Sequence, residues 1–159
     1  MTEENQTKER GPGPLRMSIY IILFLFIVII VFFFWFSPWY YGKSARVMAT
    51  KTIHAQTIKY IKSEYDKCRN GETLIMNNTL KCSDMNSKNL IQATLNASPN
   101  NNPYHNTDNA VRSSNNNSTD EDVGYVNLSA SGSNIIIKTC IKTPCKNKVN
   151  QLQNSVSIK

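Results

Sequence analysis

The chain has 159 residues and a formal net charge of +7. That is room for one modest domain once a long apolar stretch near the N-terminus is set aside. No Gly-x-Ser-x-Gly, phosphate-loop or His-Glu-x-x-His run occurs, so the sequence points to no enzyme, no cofactor and no metal. Residues 1–42 balance three cations against three anions, which leaves the whole +7 in residues 43–159.

Residues 1–16 are polar and hold a Gly-Pro-Gly-Pro run. They cannot bury a core and read as a disordered cytoplasmic tail. Residues 19–36 follow without a charge, Gly, Pro, Ser or Asn. With their flanks they reach the roughly 30 Å of a bilayer core, which predicts a transmembrane signal anchor over 17–41. The stretch is longer than a cleaved signal's apolar region and lacks a small-x-small site after it, so it reads as uncleaved. Trp35, Trp39, Tyr40 and Tyr41 fit an interfacial belt, with Lys43 and Arg46 at the lipid surface. The partner this implies is membrane lipid. Flanking charge does not decide orientation. The length of residues 43–159 and their four cysteines favour a cytoplasmic N-terminus and a periplasmic or extracellular head at the cell surface.

Residues 43–69 read as an amphipathic helix. His54, Ile58, Ile61, Tyr65 and Cys68 recur at steps of four and three, and Asn70-Gly71 closes the helix. Residues 72–76 and 79–82 flank Asn77-Asn78 as a short hairpin. Ser83 and Asp84 are candidate caps for a helix over 84–96. Residues 98–122 have loop composition and read as mobile, with Tyr104, Ala110 and Val111 able to pin them. Residues 125–130 and 135–140 form two strands around a Ser131-Gly132-Ser133-Asn134 turn. Residues 149–158 return as a third strand.

Cys68, Cys82, Cys140 and Cys145 allow three disulfide pairings. Short loops close easily, which favours Cys68–Cys82 and Cys140–Cys145. A zinc site is the rival, but only the second spacing resembles a ligand pair. His54 on a helix face and His105 in the Asn-rich loop read as packing residues. Asp120-Glu121-Asp122 reads as a solvated acidic turn, because the twelve-residue calcium pattern is missing. Sequons stand at Asn5, Asn77, Asn96, Asn116, Asn117 and Asn127, a number that an Asn-rich chain reaches largely by chance. Residues 43–69 and 138–159 are basic. A nucleic-acid backbone is therefore a candidate partner, although 138–159 has no aromatic residue for base stacking.

The layout is an apolar N-terminal helix running into an amphipathic one, then a loop, an antiparallel hairpin and a Cys-closed end. The residues that carry it are Ile58, Ile61 and Tyr65, then Asn102-Pro103-Tyr104 to Ala110-Val111. Gly124-Tyr125-Val126 and Thr139-Cys140 to Cys145 complete the set. It resembles type IV pilins and pseudopilins. The resemblance implies an α+β fold whose long helix packs on a small antiparallel sheet, and a structural or adhesion protein working through protein–protein contacts or self-association. Gly13-Pro14-Leu15-Arg16-Met17 stands where pilin precursors carry their cleavage site, so the expectation is a pilin-like head, 43–159, on an uncleaved anchor. Two alternatives stay open. One is a membrane-anchored binding module, such as a surface or viral envelope protein, with an unrelated disulfide-stapled head. The other is membrane-bound capture of nucleic acid through the basic surface.

Overall fold

The structure, a computed structural model, describes residues 14–158; of residues 14–17 and 35–41 it describes the backbone alone. The tail expected over 1–16 therefore lies outside the described residues up to residue 13, as does the sequon at Asn5. One helix, α1, runs Pro14–Arg69. The chain divides into two compact units, Met1–Gly42 and Lys43–Lys159.

In the first unit the described side chains of α1 run from 18 to 34, and the apolar ones from Ile19 to Phe34 are all exposed. Among the described residues no helix is long and apolar enough to cross a membrane. That finding overturns the transmembrane signal anchor, the membrane-lipid partner and the single-pass localisation with its cytoplasmic N-terminus and periplasmic or extracellular cell-surface head. The anchored pilin-like structural or adhesion protein falls with them. The aromatic belt of Trp35, Trp39, Tyr40 and Tyr41 lies outside the described side chains. Lys43 and Arg46 are described and exposed.

The second unit is α+β. Its core is built on α1, a second helix α2 (Ser87–Ala97), and two sheets. The small sheet pairs β1 (Leu74–Ile75) with β2 (Leu80–Lys81). The larger one joins β3 (Val111–Ser113), β4 (Val126–Ser131), β5 (Asn134–Cys140) and β6 (Gln151–Ser157) in that order. It is not the antiparallel sheet of the expected fold. β3 runs parallel to β4, because residues 114–125 cross back before the chain re-enters the sheet. β4, β5 and β6 are antiparallel neighbours.

Each element follows from its residues. The α1 positions His54, Ile61 and Tyr65 are buried on one face, at steps of seven and four that bring side chains into one row, and Ile58 between them is half-buried. The helix α2 starts later than Asp84. Asn86 is its N-cap, with the side chain accepting from Asn89 N–H, while Asp84 ends a 3-10 turn. Strand β5 puts Ile135, Ile137 and Thr139 inward against Val126, Leu128 and Val156, and Asn134, Ile136 and Lys138 outward. Fully burying each aliphatic side chain contributes about 1.5–3 kcal/mol. Cys68–Cys82 and Cys140–Cys145 are disulfide-bonded. The first ties the end of α1 to the β1–β2 hairpin. At its tip Met76, Asn77 and Asn78 all take positive φ, and the buried Glu64 carboxylate accepts from Met76 N–H.

Candidate functional site

The Asn-rich segment carries the densest polar packing of the second unit. Asn102 is fully buried, and its side chain does three things. Its Nδ2 donates to Val123 O at 3.1 Å, and its Oδ1 accepts from Tyr104 N at 2.8 Å and His105 N at 3.3 Å. Its backbone N–H donates to Asp108 O at 2.8 Å. The segment is thus folded back on itself, with Asn101 bridged to Asn109 and Ala110 N–H donating to Asn100 O. Tyr104 O–H donates to Ile141 O at 2.7 Å, and Arg46 stands 5.8 Å from the Tyr104 ring centre.

Composition predicts a mobile loop here, and the structure shows the hydrogen bonds that close it. Asn side chains can donate and accept at once, so they close a loop with hydrogen bonds where apolar area is scarce. Gly124 makes room for this. Its φ is +81°, and a Cβ there would stand 2.1 Å from Asn102 Oδ1 and 2.7 Å from Tyr104 Cδ2.

A second layer braces the loop. Arg112 on β3 pairs with Asp122 and donates from Nε to Asn127 Oδ1 at 2.7 Å. Its guanidinium lies 3.8 Å from the centre of the Tyr125 ring. Tyr125 O–H donates to Asp108, which holds the Asp108 carboxyl below its ordinary range and pushes the Tyr125 phenol up. His105 stacks on Tyr125 at 6.0 Å between ring centres. Asp122 also accepts from Thr119 N–H and O–H, and Asp120 Oδ1 accepts from Cys145 N at 2.7 Å. The triplet read as a solvated acidic turn is therefore partly structural. Asp122 is buried, and Glu121 is left exposed.

What this frame presents outward is His105, Asn106, Thr107, Asp108 and Asn109, all exposed. They offer amides, a hydroxyl, an imidazole and a carboxylate on a backbone already fixed in place. His54 lies elsewhere. It is buried between α1 and the sheet, with Nδ1 2.9 Å from Thr139 Oγ1 and Nε2 2.7 Å from Asn154 Oδ1, and burial lowers its pKa. The four cysteines sit in their two disulfides. Among the described residues no group of three or more His, Cys, Asp or Glu is placed to hold a metal ion. Two sequon residues, Asn117 and Asn127, are buried, while Asn77, Asn96 and Asn116 are exposed.

The sequence does not mark Arg112, Asp122 and Asn127 as partners, because nothing local links residues 10 and 15 apart. Gly124 is the one signal available, as a glycine directly after a polar loop and before a strand. No family model matches the chain, and neither the curated proteins nor the solved structures supply a match.

Proposed function

We propose that residues 43–159 are a disulfide-stapled α+β binding module, and that it recognises a protein partner through the loop at residues 103–109. The reading corresponds to a head unrelated to pilins. The observation that carries it is the frame under the loop. Asn102, Gly124, Arg112, Asp122 and Tyr125 all support one loop conformation in which His105 to Asn109 are exposed. A loop ordered before binding loses less entropy when a partner arrives, and this is how rigid frames raise affinity. Loops on rigid frames are where recognition residues concentrate. Two disulfides suit a compartment where thiols stay oxidised.

The experiment is site-specific photo-crosslinking in the producing cells. A photoreactive residue at Asn106 yields a discrete adduct with one partner protein, and the same residue at exposed Thr73 does not. His105→Ala with Asn109→Ala abolishes the adduct while leaving the melting curve unchanged. Identical adduct patterns from positions 106 and 73 refute the reading.

A further inference from the structure

A second surface, independent of the loop, lies at the far edge of the larger sheet. Among the described residues strand β6 is an edge strand, paired on one side alone. The hydrogen bonds beyond its two ends fix which way its backbone groups point. Ile158 N–H donates to Ser133 O and Ile141 N–H donates to Asn150 O, each at 2.8 Å. In the antiparallel register the even residues, Leu152, Asn154 and Val156, then turn their N–H and C=O toward β5. Gln151, Gln153, Ser155 and Ser157 turn theirs away from it, toward an edge that no strand covers.

Proteins blunt such edges with lysine, proline, bulges or a covering loop. β6 reads QLQNSVS, with no charge, no proline and no glycine, and Gln153, Ser155 and Ser157 are exposed. The ground beside the edge has a definite chemistry. His54 bonds to Thr139 on β5 and Asn154 on β6, so α1 lies over these two strands. Gln56, Thr57 and Tyr60 line a cleft shared with the end of α2, which packs on β3 and β4. The opposite flank of α1 therefore faces past β6. It holds Ala55, half-buried Ile58, Lys51 and Lys62, and Lys138 stands on the outer face one strand in.

We propose that β6 accepts an extended segment of a partner protein as a fifth strand, and that this segment alternates aliphatic residues with carboxylates. Its main chain bonds to Gln151, Gln153, Ser155 and Ser157, its aliphatic side chains meet Ile58 and Leu152 on the face that α1 covers, and its carboxylates, on the outer face, meet Lys138. Main-chain pairing supplies affinity in strand addition, and alternate side chains supply specificity. A second copy of β6 fits the same edge poorly, because β6 carries no acid to meet Lys138.

The test uses the full chain in mild detergent, which covers the exposed apolar residues of 19–34, and a fluorescein-labelled peptide of four Glu-Val repeats. Saturable binding is expected, with amide exchange at Gln153 and Ser155 slowed at least tenfold. Ser155→Pro removes an outward N–H and weakens binding at least tenfold, and Lys138→Glu weakens it as well. N-methylation of the peptide checks the same point without altering the protein. Methylating one set of alternate amides abolishes binding and methylating the other set leaves it. No saturable binding overturns the proposal, and so does equal tolerance of both methylation patterns. Slow exchange at Gln153 and Ser155 without peptide, in a chain that sediments as a dimer, also overturns it and makes a second copy the occupant.

Discussion

Replacing Gly124 with alanine tests whether the loop is held as described. Two separate costs can be worked from the geometry. The first is backbone: at φ +81° an L-residue pays roughly 1–2 kcal/mol that glycine does not. The second is the clash. A Cβ 2.1 Å from Asn102 Oδ1 and 2.7 Å from Tyr104 Cδ2 forces the Asn102 side chain out of place. That side chain is fully buried and bonds Val123 O, Tyr104 N and His105 N, so its displacement strands polar groups at about 1–3 kcal/mol. Together the loss is roughly 2–5 kcal/mol, against about 5–15 kcal/mol for a whole domain. At about 3–5 °C per kcal/mol for a domain of this size, the melting temperature falls by roughly 6–25 °C. Gly71→Ala is the control. Its φ is +93° and nothing lies within 4 Å of the place an added methyl would occupy, so it carries the backbone cost alone. Calorimetry or thermal circular dichroism compares the two. In an Asn102→Ala background the Gly124→Ala cost shrinks, because one clashing partner is gone. A Gly124→Ala loss no larger than that of Gly71→Ala would refute the account of the loop.

Ile61→Ala, at a fully buried α1 position, costs about 2–5 kcal/mol, while exposed Lys59→Ala changes melting little; equal curves would show that α1 does not pack on the sheet. Burial lowers the folded pKa of His54 beneath the unfolded value of about 6.5, so the unfolded chain binds more protons. The stability His54 contributes is therefore present above about pH 6.5 and is lost as pH falls through that value. Urea titrations between pH 8 and pH 5 show the loss, and His54→Gln flattens it. Removing Cys68–Cys82 by double serine substitution costs about 3 kcal/mol, since the bond closes a loop of 14 residues. An unchanged denaturation midpoint in that variant would count against the staple.

Local pattern carries a good part of this protein. The seven-and-four spacing of His54, Ile61 and Tyr65 marks the buried face of α1, because a helix brings those positions into one row. The Ile135 to Ile137 run marks a strand, and Gly132 marks the turn before it. Length and apolarity point to a membrane span over 19–36, and among the described residues no helix is long and apolar enough to be one. Four cysteines leave three pairings open on paper, and the fold decides by bringing Cys68 to Cys82 and Cys140 to Cys145. The parallel entry of β3 has no local signature, since it depends on where a 12-residue crossing returns. The loop frame is the clearest case. Arg112 meets Asp122, Asn127 and Tyr125 only after β3 lies beside β4, and Asn102 needs the space at Gly124 that a residue 22 positions away leaves open. Hydrogen bonds of that kind are invisible to periodicity, because each donor finds its acceptor through the sheet and not along the chain.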